Sequence, residues 1–222
     1  MNTQAIRILF LKDLFLSRRQ LFGYFAAGMA ASAIACIPDS TSSFIGFILV
    51  ITVAIASGIH LIGTLLLAET TDQTRMFVMS LPVSLLEYSI SKISVVLTTY
   101  LIPWTAMFAF LIIATFVMGK PGNVAVLPTI FFFLFGTFTL QLVTAVISES
   151  VGFTISVMVG CNVLLNVFML KLFAIPEISA ASKSDVLTWP SIAIQILAVE
   201  LLIIVLALAM AFLFQSRKRD LV

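Results

Sequence analysis

The sequence predicts an all-α integral membrane protein with six transmembrane helices, on three observations. First, 61% of its 222 residues are hydrophobic and only 10% are charged, with a mean hydropathy of +1.20. A water-soluble globule does not carry such a balance. Second, six stretches, at about 20–37, 44–68, 91–118, 124–147, 152–173 and 191–214, are apolar over the length a bilayer-crossing helix requires. Third, the basic residues collect beside alternate ends of those stretches, as topology demands. The whole chain, 1–222, reads as a single transmembrane domain without an internal repeat or a low-complexity tract.

Ahead of the first span, residues 3–17 (TQAIRILFLKDLFLS) mix apolar positions with Arg7, Lys12 and Asp13. That amphipathic mixture predicts a helix lying along the membrane interface, with a cytosolic extension of the first span as the alternative. The sequence Ser17-Arg18-Arg19-Gln20-Leu21-Phe22, with Cys36 further on, superficially resembles a twin-arginine export signal. Five more spans follow it, and an anchoring role already accounts for the arginines, so the N-terminus is expected to stay in the mature protein.

Orientation follows from Lys and Arg. With the N-terminus inside, Arg7, Lys12, Arg18, Arg19, Arg75, Lys92, Arg217, Lys218 and Arg219 are cytosolic, leaving only Lys120, Lys171 and Lys183 outside. Both termini are therefore expected in the cytosol. Outside, PDSTSS (38–43) and GKPGN (119–123) are turn-rich links. The longer 174–190 connection carries Glu177, Lys183, Asp185 and Trp189, with room for a short surface or re-entrant helix.

Several function classes are disfavoured. A net charge of +2 and a pI near 8.7 are explained by membrane topology, so no nucleic-acid role is assigned. Two cysteines, Cys36 and Cys161, make neither a disulfide framework nor a metal cluster, and the lone His60 cannot form a zinc-protease motif. No nucleophile, base and orienting group are recognisable together, which weakens an intramembrane enzyme.

Residues 69–92, ETTDQTRMFVMSLPVSLLEYSISK, form the longest polar interruption, and the topology places them in the cytosol. Pro82 interrupts any continuous helix there. Ser84 and Glu87 fit a capping box that starts the third helix before it enters the membrane. Between them and the second span, Asp72 and Arg75 accompany Met76, Phe77, Met79 and Leu81. Exposed Met and Phe call for a cover. Docking on a soluble partner and lying on lipid headgroups both answer that need.

This connection, "ETTDQTR…SLPVS-LLEYSISK", resembles the corresponding loop of ABC exporter permeases of the second type. The opening "ILFLKDLFLSRRQ" is similar to the "KDL" start of small permease subunits in that group, and "FLFQSRKRDLV" resembles their ending. Thr70, Thr71 and Gln73 depart from the pattern where charged residues are frequent, as do Leu85 and Leu86 where a basic residue is often found. The resemblance implies a transmembrane half that pairs with a second permease subunit, in a homodimer or heterodimer, and with cytosolic ATP-binding subunits. It also implies that 69–82 is a coupling helix seated in the ATPase. ATP and Mg would belong to that partner. The chain itself lacks a phosphate loop: Gly23 and Gly28 have the first spacing, but Met29 and Ala30 follow where Lys and Ser/Thr are needed. The implied location is the cell (inner, cytoplasmic) membrane, the implied cargo an amphipathic or hydrophobic compound such as a peptide, and the direction outward.

Polar groups inside the spans are the remaining candidates. His60 lies in the second span and Glu200 about ten residues into the sixth. Asn162 and Asn166 share a face of the fifth helix, with Gln141 in the fourth span and Gln195 in the sixth. Interhelical hydrogen bonding is the ordinary role of such amides. Gly23, Ala27, Ala30 and Ala31 form a stripe of small side chains that permits close helix approach. A rival reading makes His60 and Glu200 a proton relay in an ATP-independent transporter.

Overall fold

A computed structural model describes residues 3–68 and 85–217. Among the described residues it forms seven α-helices and no strand: α1 (Thr3–Ala35), α2 (Ser40–Ile62), α3 (Leu85–Val117), α4 (Val126–Ser148), α5 (Val151–Ala174), α6 (Pro176–Ser182) and α7 (Ser191–Arg217). Helices are what hydrocarbon permits, because each backbone group finds its partner within the segment.

Five of these elements are long and apolar enough to cross a bilayer: Ser40–Leu67, Glu87–Val117, Pro121–Ser148, Val151–Ala174 and Ser191–Phe214. The first helix differs from the sequence expectation. Instead of an interfacial helix over 3–17 and a separate span, α1 runs unbroken from Thr3 to Ala35. Neither proline nor glycine lies between residues 3 and 22 to interrupt it, and the Ser17 hydroxyl donates back to the Leu14 carbonyl at 3.2 Å. Its uncharged portion, residues 20–35, falls short of the roughly 20 residues a span requires.

Local chemistry sets the ends. Asp39 caps α2, its carboxylate accepting from the Ser42 backbone N–H and the Ser42 hydroxyl, each at 2.9 Å. Those Ser42 bonds hold the exposed Asp39 carboxyl below its usual range. At the other end α2 widens into a π-turn, Gly63–Leu67, closed by the Ala68 N–H donating to the Gly63 carbonyl. Such turns insert one extra residue and often sit near functional segments; this one directly precedes the 69–84 connection. Glu149, with φ 51°, ends α4 in a left-handed conformation, and Ser150 then caps α5 by accepting from the Phe153 N–H. The 174–190 connection does hold a short helix, α6, with Pro176 in its first turn.

The packing has α4 at its centre: 61% of its most apolar window is buried, against at most 39% for the other spans. α1 packs along α3 and α2, whereas α4 packs along α7 and α5 and contacts α2. Between α3 and α4 lies an aromatic core. Tyr100 stacks on Phe138 with centroids 3.7 Å apart, and the Trp104 indole N–H donates to the Phe131 carbonyl at 3.1 Å. Lipid is as apolar as these side chains, so close van der Waals fit and such hydrogen bonds hold the helices together. Phe131 is fully enclosed, so part of the Phe-rich run is core rather than lipid surface.

The small-residue stripe on α1 only partly faces inward. Gly23, Ala27 and Ala30 are exposed, while Gly28 and Ala31 pack inside, with Met107 of α3 against Gly28. The closest approach lies elsewhere, where Gly46 of α2 meets the backbone of Ala35 and a Cβ would also come 2.6 Å from the Ile34 carbonyl carbon. Gly46→Ala is expected to destabilise the purified chain by about 1–3 kcal/mol through overpacking. Gly23→Ala, with open space around its new methyl, is expected to leave thermal unfolding in detergent unchanged. Equal behaviour of the two variants contradicts this packing.

Candidate functional site

Two polar constellations stand out from the apolar bundle. One lies at the base of α1 and α3. Asp13 of α1 and Lys92 of α3 form an ion pair at 2.8 Å, their side chains only 4% and 5% exposed. Lys12, on the surface, also reaches Asp13 at 3.3 Å. The Lys92 ammonium lies 5.6 Å from the Tyr88 ring centroid, a cation–π contact. One turn before Lys92, Glu87 is buried in the first turn of α3. The helix starts at Leu85, directly after Ser84; the Ser84 half of the expected cap lies outside the described residues.

This base matters for its position. α3 is the first described element after the 69–84 connection, and Lys92 lies two turns into it. Asp13 therefore fastens α1 to the root of the helix that leaves the connection. A buried pair of this kind contributes little relative to an apolar isostere, but losing one partner leaves an uncompensated charge. The predicted coupling residues Asp72, Arg75, Met76, Phe77, Met79 and Leu81 lie outside the described residues.

The second constellation is inside the spans. Glu200 of α7 is 7% exposed, and neither carboxylate oxygen has a hydrogen-bond partner among the described residues. It lines a groove of about 480 Å³ walled by α4, α5 and α7, with Phe132, Phe133 and Gly136 on one side and Gly160 and Leu164 on another. The remaining polar groups of the lining are already engaged. Thr137 donates to the Leu134 carbonyl at 2.8 Å, Ser156 to the Gly152 carbonyl at 3.0 Å, and the Cys161 thiol to the Thr137 carbonyl at 3.9 Å.

The other sequence candidates are placed apart from Glu200. His60 is exposed on α2, and its Nδ1 hydrogen-bonds the Tyr24 hydroxyl of α1 at 2.7 Å. The α1–α2 seam and the α4–α5–α7 groove are different regions, so the structure does not assemble the two groups into one relay site. Asn162 donates to the Met158 carbonyl at 3.1 Å and Asn166 to the Asn162 carbonyl at 2.8 Å. These bonds stay within α5, where the expectation had them crossing between helices; each amide reaches the carbonyl four residues back, which lies on its own face. Gln141 is buried on α4 beside Cys161 of α5, and the Cys161 thiol links the two helices by donating to the Thr137 carbonyl. Gln195 is exposed on α7.

Tyr24 and Asp13 had no standing as partners in the sequence. Asp13 and Lys92 are 79 positions apart, and no local spacing rule joins residues so distant. The available signal was a lone acid in a basic N-terminal segment.

A family model described as ABC-2 family transporter protein matches residues 8–218. No curated protein and no solved structure matches the chain.

Lys92→Met, which leaves the buried Asp13 carboxylate with only the surface Lys12 beside it, is expected to cost up to about 3–5 kcal/mol. The double variant Asp13→Leu with Lys92→Met is expected to regain most of that loss. Thermal unfolding of the purified chain, followed by fluorescence-detected size exclusion, checks the series. A double variant no more stable than Lys92→Met alone contradicts the pairing.

Proposed function

The chain belongs to the ABC-2 transporter family, and on that premise we propose that it is the permease subunit of an ATP-driven exporter in the cytoplasmic membrane. The match over residues 8–218 is the observation that carries this reading, because it spans nearly the whole chain and the family is a membrane component of transporters. In this reading α1 crosses as the first of six spans despite its short uncharged portion, its charged first half being a cytosolic extension of the span, and both termini are cytosolic. ATP and Mg are held by a cytosolic ATP-binding subunit, consistent with the missing phosphate loop, and a second permease subunit completes the path. The cargo is an amphipathic or hydrophobic compound, such as a peptide, moved outward.

Transmission then has a physical route. Residues 69–82 act as the coupling segment, offering Met76, Phe77, Met79 and Leu81 to a groove of the ATPase, with Asp72 and Arg75 as charged contacts. Displacement of that segment reaches α3 at Leu85. The Asp13–Lys92 pair obliges α1 to follow α3, since separating the two breaks a buried ion pair at 2.8 Å. On the other flank the π-turn at Gly63–Leu67 gives the end of α2 a place to alter its hydrogen-bond register.

Coexpression with the ATP-binding subunit and purification in mild detergent tests the proposal. The wild-type chain is expected to retain the ATPase, and Arg75→Glu combined with Met76→Asp is expected to release it and abolish coupled turnover. If the doubly substituted chain keeps both, the coupling role is wrong.

A further inference from the structure

We infer that the groove around Glu200 binds the cationic head of an amphiphile, with the adjoining apolar walls taking its hydrocarbon portion. This names a substrate class for the exporter and, as a transport statement, rests on that reading. The charge requirement comes from the lining itself. Thr137, Ser156 and Cys161 spend their donors on helix carbonyls, leaving the Glu200 carboxylate as the polar group of the groove without a partner among the described residues. A carboxylate 7% exposed at membrane depth, enclosed by Phe132, Phe133 and Leu164, calls for a positive counterpart.

Among the described residues there is no such counterpart nearby. α4 contains no Lys or Arg, α7 has none before Arg217, and Lys171 of α5 is exposed near that helix's outer end, away from the groove lining. A volume of about 480 Å³ suits a small organic cation, within the range of roughly 300–1,000 Å³ usual for such ligands. The two phenyl rings add faces that favour positive charge. Leu164 and Ile203, 59% and 43% exposed, stand at the rim, so entry is lateral, from the lipid phase. A molecule arriving that way must be apolar enough to partition into the bilayer and cationic enough to engage Glu200.

The test uses the full chain in an uncharged detergent and tritiated tetraphenylphosphonium, a permanently charged apolar cation. Saturable binding is expected, with Glu200→Gln weakening it about tenfold or more and Glu200→Asp retaining most of it. Tetraphenylborate, of like shape and opposite charge, is expected not to displace the probe. Gly160→Leu is the second variant: Gly160 lines the groove and a Cβ there meets nothing within 4 Å, so a larger side chain has room to enter the groove and is expected to block binding while the carboxylate remains. Wild-type affinity in Glu200→Gln, or displacement by tetraphenylborate, overturns the inference. So does absent binding, including the case where Glu200→Gln converts a dimer to monomers and thereby assigns the carboxylate to a second copy. No ATPase takes part, so failure here leaves the exporter reading standing, and loss of ATPase co-purification leaves this result standing.

Discussion

The buried ion pair between Asp13 and Lys92 is the constraint around which the described structure is organised. It joins the two helices that pack most extensively, α1 and α3, at the end next to the 69–84 connection. Charge desolvation makes the pair intolerant of separation. α1 and α3 therefore behave mechanically as one body at their base, although 49 residues separate Ala35 from Leu85 along the chain. Above that base the join continues where Gly28 of α1 admits Met107 of α3.

The bundle shows how helices associate where hydrophobicity offers no preference between core and lipid. Aromatic stacking between α3 and α4, a Trp104 N–H spent on a helix carbonyl, and glycines at the closest crossings provide contacts that lipid cannot match. Hydroxyl groups are mostly silenced within their own helices, as with Thr129 bonding Val126 and Thr139 bonding Phe135. Against that economy, Glu200 is an exception: a full carboxylate without a hydrogen-bond partner, set in an apolar groove between α4, α5 and α7. Natural sequences keep such groups where they act.

The base and the groove lie at different places in the bundle of this ABC-2 family transporter protein. α3 carries the ion-paired base beside the 69–84 connection, and α4, central and contacting α2, α5 and α7, is placed to relay movement to the groove wall. Phe132 and Gly136, which face the groove, belong to the same helix whose Phe138 stacks on Tyr100 of α3 and whose Phe132 meets Trp104 of α3 edge to face. A shift of α3 thus meets the groove wall through directly packed rings.

What the sequence determined by itself was the class and the register. Spans near 44–68, 91–118, 124–147, 152–173 and 191–214 agree closely with helices of the structure, because unbroken apolar length is a one-dimensional property. The loop and terminal motifs sufficed for the family. The tertiary structure alone decided which faces meet. These helices are apolar all round, so periodicity does not mark an inner side, and the exposure of Gly23 and the burial of Phe131 had no local sign. Pairings such as Asp13 with Lys92 and Tyr24 with His60 depend on three-dimensional proximity between distant positions. So does the isolation of Glu200, since a carboxylate in a sequence has no partner or lack of one until the neighbouring helices are in place.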